Sequence, residues 1–319
     1  MHVRRQDGFS LAELLIAMAI MLLISGAATS ALLKMTSTQA TIWNRTQMHS
    51  GIRGATEVLQ QEVGQAGRAT LPAAVTLGQA VTAAGSATVT VTSSSSPVTS
   101  GMFVGEKLLI DSACFDTVSP CTSRQETVQL TAVTSTQITA VFANTHAIAA
   151  PVSVLGGFSS GIVPPSITNG STGTVLKLFG DINADGNMVY IEYSCVIPTG
   201  GVGSLYRNSM AWNAASKISA TASQILLSNI VANPNNTACF TYQTATVSGI
   251  DYVTDVAITL TVQTQQIDPV TKQYQKETKA LLNVSPRNVF NAWELASLGL
   301  TDRIQPTPAS ITNLLPGGP

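Results

Sequence analysis

The sequence predicts an α+β protein: a long N-terminal helix, membrane-spanning in its first half, packed on a mainly antiparallel β head that carries an extra β-rich unit. Three observations predict it. An almost wholly apolar run extends from Leu14 to Ala28, and the pattern continues to Leu33. Apolar residues then recur at spacings of three and four as far as Ala66. Beyond Ala73 this period gives way to short β-branched segments punctuated by Ser, Thr and Gly. Charged residues are only 10% of the 319, and the net charge is -1. With no basic patch and no interleaving of aromatic and basic residues, the chain carries no nucleic-acid signature.

From Phe9 to Leu33 a helix would rise ~37 Å, enough for a hydrocarbon core of ~30 Å. Arg4 and Arg5 precede the run, which places the N-terminus in the cytoplasm and the rest beyond the inner membrane. A secretory signal and a plain anchor share these features, and "ISGAATSA" could supply a cleavage site. Neither accounts for Glu13, an acid at the edge of the apolar run, where charge is expensive.

The stretch "RRQDGFSLAELL" resembles the processing site of type IV prepilins: a short basic leader, Gly8, Phe9, and an acid as the fifth residue after the cut. The resemblance implies cleavage after Gly8 by a prepilin peptidase and methylation of the new N-terminus at Phe9. It also implies a role for Glu13, whose carboxylate would meet the Phe9 amine of a neighbouring subunit in a filament. Two groups costly in a dry interior would neutralise each other and set the register. The simpler alternative is that Glu13 stabilises its own helix N-terminus.

The amphipathic continuation runs through Met48, Ile52, Ala55, Leu59, Val63 and Ala66, with Glu62 as a polar break. Gly67 is the expected C-cap and Pro72 a stop. The expected boundaries are a leader at 1–8, a membrane or filament-core helix at 9–34, and a head-packing helix at 35–67. The stretch "ATEVLQQEVGQAGR" resembles the equivalent helix of PilW-type minor pilins.

A first β unit is expected over 73–160, from "ATVTVT", "EKLLID", "ETVQLTAV" and "TQITAVF". A pilin-like β head is expected over 170–290. It contains "TVLKLFG", "NMVYIEYSC", "SLYRN", "SQILLSNI", "CFTYQ" and the long alternating "VTDVAITLTVQTQQ". "DPVTK" would turn the last of these into "KETKALLNV" as a hairpin. The order from "YSC" through "SPRNVFNAW" is similar to PilW-like heads. The tail 301–319, with four prolines, is expected to be disordered.

Cys114, Cys121, Cys195 and Cys239 all follow the membrane segment and would face an oxidising periplasm. Four cysteines allow three pairings. Cys114–Cys121 with Cys195–Cys239 keeps each bond within one β unit. "DINADGNMVYIE" fits the calcium-loop pattern, with Asp181, Asn183 and Asp185 as ligands, Gly186 at the turn and Glu192 closing. Residues 188 to 193 alternate as a strand, however, which would carry Glu192 too far away to close the loop. Two readings remain: an open calcium site on Asp181, Asn183 and Asp185 alone, and a hairpin turn. Otherwise no cofactor is expected.

None of His2, His49 and His146 sits in a catalytic motif, and there is no P-loop or dinucleotide turn. Together with this absence, the resemblance implies a non-enzymatic minor pilin taking part in pilus assembly, priming and adhesion. Its implied partners are other major and minor pilins, the prepilin peptidase, the inner membrane and the pilus assembly platform. The subunit would pass from the inner membrane, head periplasmic, to the pilus and cell surface. The alternatives are a pseudopilin of type II secretion or DNA uptake and, further off, a membrane-anchored enzyme.

Overall fold

The computed structural model describes residues 10–111, 125–218 and 221–314. The chain divides into two compact units. One comprises residues up to Ser50 with Gln263–Glu277, the other Gly51–Val262 with the segment from Thr278 onward.

A single helix, α1, spans Leu11–Gln65. Its first stretch buries none of its apolar side chains: Leu22 is 74% exposed and Leu23 75%. It is long and apolar enough to cross a membrane. From Ile52 the same helix buries Ile52, Ala55, Leu59, Val63 and Ala66, the stripe expected from the sequence, and Glu62 is buried with them. The helix ends where Gly67 turns to a φ of 82°, and the Gly67 N–H donates to the Phe179 carbonyl at 2.8 Å. At this crossing a Cβ on Gly161 would stand 2.2 Å from the Gly67 Cα, so only glycine fits.

The expected first β unit is a closed barrel. Its strands are β1 (Val75–Leu77), β2 (Gly85–Ser93), β3 (Lys107–Ile110), β4 (Glu126–Val133), β5 (Gln137–Phe142) and β6 (Pro151–Val154). They close in the order β1-β2-β5-β4-β3-β6, and Val75 of β1 pairs with Val152 of β6. Alternate residues point inward, and Leu77, Leu108, Ile110, Val128, Leu130, Ile138 and Phe142 fill the interior. After the barrel comes β7 (Gly157–Phe158).

The second assembly is a seven-stranded sheet. It contains β8 (Val175–Gly180), β9 (Val189–Val196), β10 (Gly203–Ala211), β11 (Ile225–Val231), β12 (Phe240–Val247), β13 (Ile250–Gln263) and β14 (Lys276–Val284). The order is β12-β13-β11-β10-β9-β8, with β14 paired to β13. The hairpin expected from "DPVTK" is present as the β13–β14 turn. Helix α2 (Arg287–Ser297), which the strand reading did not anticipate, buries Val289, Ala292 and Ala296.

The tail departs from expectation. Instead of being disordered, residues 301–314 form a 3-10 turn at Thr301–Arg303, β15 (Ile304–Gln305) and α3 (Ala309–Leu314). Strand β15 pairs in parallel with β7. Ile311 and Leu314 are fully buried beside Phe158, Phe179 and Tyr190. Gln305 is 1% exposed, and its amide bonds the backbone of Lys107 and Leu155. Prolines that narrow the unfolded ensemble, together with a few apolar anchors, are enough to fold a short tail.

Candidate assembly site

The processing junction, Gly8 and Phe9, lies outside the described residues, as do Cys114 and Cys121. Glu13 is described, in the first turn of α1. The Ser10 N–H donates to Glu13 Oε2 at 2.9 Å and the Ser10 hydroxyl to the same oxygen at 3.0 Å. In return the Glu13 N–H donates to Ser10 Oγ at 3.2 Å. This is a reciprocal capping box: two N–H groups left without helical partners are satisfied by two side chains. The simpler role considered for Glu13, stabilising its own helix N-terminus, is thus in place. The carboxylate remains exposed, and its bonds run through one oxygen.

At the other end of the helix, Glu62 is an anchor and not a break. It accepts from Arg207 Nη2 at 2.5 Å and Nε at 3.0 Å on Oε1, while the Tyr193 hydroxyl donates to Oε2. Burial, and then the Glu62 carboxylate, push the Tyr193 phenol up from its ordinary range, so it stays a donor. Tyr193 and Arg207 are register partners on β9 and β10. The paired strands therefore present a hydroxyl and a guanidinium to one face of the helix. A lone acid inside an otherwise apolar stripe, with an arginine in a strand, was the sequence signal for this pair.

The aspartate-rich segment is a turn. Asp181 is fully buried, with Oδ1 accepting the Asp185 N–H at 3.1 Å and Oδ2 the Gly186 N–H at 3.4 Å. Arg68 Nε lies 3.6 Å from Oδ2. Asp185 in turn accepts the Asn187 N–H at 2.8 Å, and Asn183 is exposed. Glu192 stands on β9, where the Tyr190 hydroxyl at 2.9 Å and the Lys217 ammonium bond its carboxylate. With Asp181 bound by backbone donors and Glu192 engaged elsewhere, these residues do not fit a closed calcium cage. Among the described residues no group of three or more His, Cys, Asp or Glu side chains is placed to hold a metal.

Cys195 and Cys239 form a disulfide across 44 residues. It joins β9, next to last at one end of the sheet order, to the residue just before β12, the strand at the other end, where the Phe240 N–H also donates to the Gly173 carbonyl at 3.0 Å. His146 is fully buried in the barrel, with Nδ1 2.6 Å from Asp111 Oδ2 and Nε2 2.6 Å from Glu126 Oε1. Both ring nitrogens face carboxylates, so the imidazole ties strands together and offers no nitrogen to a substrate.

Residues 3–29 match the family model of the prokaryotic N-terminal methylation motif. The match supports a type IV pilin-like protein or pseudopilin and points to a structural subunit in preference to an enzyme. It implies processing by a prepilin peptidase and assembly with other pilins, and it fits anchoring in the inner membrane. No curated protein and no solved structure matches the chain.

Proposed function

We propose that the chain is a minor subunit of a type IV pilus, of PilW type, that helps to prime or cap the filament and exposes its head for surface contact. One observation carries the reading: a prepilin-like N-terminus leads directly into a first stretch of α1 whose apolar side chains are not buried by the described part of the chain. Such a surface requires a partner outside the molecule, first lipid and then other pilin helices. After cleavage at Gly8, Glu13 would give up part of its bonding to Ser10 and face the Phe9 amine of a neighbour. The bulk of the head, a sheet plus a barrel, suits a low-copy subunit.

The test is co-expression with a prepilin peptidase, mass measurement of the mature chain, and scoring of filaments carrying Glu13→Ala. The expected result is a chain starting at a methylated Phe9, with Glu13→Ala processed but lost from filaments. Any other start, or unchanged incorporation, overturns the reading. Deletion scored for piliation, secretion and DNA uptake separates the pilus from the pseudopilin alternative.

A further inference from the structure

We infer that the tip of the β13–β14 hairpin is an interfacial membrane anchor, seated with the adjoining stretch of α1 on the anionic headgroups of a phospholipid bilayer. The inference rests on the membrane-spanning reading of α1.

The tip is built inside out. Asp268, 2% exposed, is its centre: Oδ1 accepts the N–H groups of Val270 at 2.7 Å and Thr271 at 3.1 Å, and the Thr41 hydroxyl of α1 at 3.3 Å. The Gln275 amide donates to Oδ2. The main chain closes the loop too, with Asp268 N–H to Gln273 O at 3.0 Å and Lys272 N–H to Asp268 O at 2.8 Å. The loop shape is thus fixed with its acid inward. Facing out are Ile267, 50% exposed, Val270, 64%, and Tyr274, 45%. A loop shaped for water would turn its acid out and its apolar groups in.

The helix sets the depth. The twenty residues Leu14–Leu33 rise ~30 Å, the thickness of the hydrocarbon core, and headgroups add about 5–8 Å on each side. Thr41 lies ~12 Å beyond Leu33 along the helix. Gln266, at the hairpin's start, shares a groove with Thr36, only ~5 Å beyond Leu33. The hairpin therefore meets the helix from the headgroup layer, at Gln266, to a few ångström outside it, at Asp268. Trp43 of α1, 72% exposed, lines the same groove, and Trp and Tyr are the residues that favour this layer.

Charge agrees with position. In residues 34–50 and 263–277 the fixed cations are Lys34, Arg45, Lys272 and Lys276. The acids are Asp268, buried, and Glu277, which faces His49. The cationic surplus with outward apolar groups matches lipid phosphate above acyl chains.

The test uses the full chain in phosphatidylethanolamine–phosphatidylglycerol nanodiscs. Val270→Trp is made in a Trp43→Phe background, with the background variant subtracted to remove Trp212 and Trp293. The expected result is a blue-shifted emission, with loss of intensity when the lipids carry bromine near the headgroup end of the acyl chain. A water-like, unquenched spectrum overturns the proposal. So does a blue shift without bromine quenching that grows with the number of chains per disc, which would assign the tip to a second copy. Leu22→Trp in the same background must be quenched by bromine deep in the acyl chain. If it is not, the membrane-spanning reading itself has failed, independently of the tip.

Discussion

Residues 11–33 and 52–66 are two stretches of one helix, and they treat apolar side chains in opposite ways. The second buries a narrow stripe of them against the sheet and adds the Glu62–Arg207 pair. The first is apolar on every side and buries none. A stripe is what a helix needs when its partner is one surface of its own chain. An all-round apolar surface is what it needs when its partner surrounds it. The difference teaches that the first stretch was shaped by an environment and the second by a fold.

Three experiments would break or sharpen this contrast, and two more test the rest of the head. The largest effect is expected from removing the Cys195–Cys239 bond by Cys195→Ser with Cys239→Ser. A link spanning 44 residues constrains the unfolded chain by roughly 4 kcal/mol. Hydrogen exchange should quicken in residues 52–66, whose sheet loosens, and stay unchanged in 11–33. Next is a matched pair of truncations. Leu59→Ala, at a fully buried position, should cost about 3.5 kcal/mol in denaturant unfolding of the head. Leu22→Ala should cost less than about 0.5 kcal/mol in the same assay. Equal costs would erase the contrast between the two stretches. Glu62→Ala should follow at about 3 kcal/mol, because it strands the Arg207 guanidinium. Glu62→Gln should recover part of this by keeping the Tyr193 hydrogen bond.

A change smaller per pH unit than these costs, but spread over several units, is expected from the barrel, away from the helix. Burial pushes the Glu106 carboxyl up to about 8 from its ordinary 4.5. Between those values the folded state holds a proton that the unfolded state has lost, so stability falls as pH rises, by up to about 1.4 kcal/mol per pH unit. Melting temperature should decline more steeply across this range in the native chain than in Glu106→Gln. Equal slopes would show that Glu106 does not hold the proton. Millimolar calcium, by contrast, should leave the melting temperature of the native chain unchanged, because the oxygens of Asp181 already bond the turn. A rise would support an open calcium site on Asp181, Asn183 and Asp185.

Much of this architecture was legible in the sequence. The apolar run and the stripe delimit α1 to within a few residues, because helical period and a terminal glycine are local signals. Most strands were legible for the same reason: alternation and turn residues lie side by side along the chain. Closure of the barrel was not, since it depends on Val75 meeting Val152, and periodicity reports a buried face without saying what covers it. The tail was misjudged because its order comes from Ile311, Leu314 and Gln305 finding partners far away in sequence. Glu62 was misread for a related reason. An acid in an apolar stripe is a break unless a distant arginine answers it, and only the fold brings Arg207 there. At Glu13 the sequence offered two roles, and Ser10 supplies the local one.

The pairing of β1 with β6 has one more consequence. It sets the chain's way into the barrel beside its way out, so the barrel behaves as a cassette spliced into a hairpin-like gap. A ring of strands also leaves no unpaired ladder for a neighbouring chain to extend. Changes in barrel strands away from Lys107 and Leu155, which Gln305 holds, would therefore leave the register of the sheet that follows untouched.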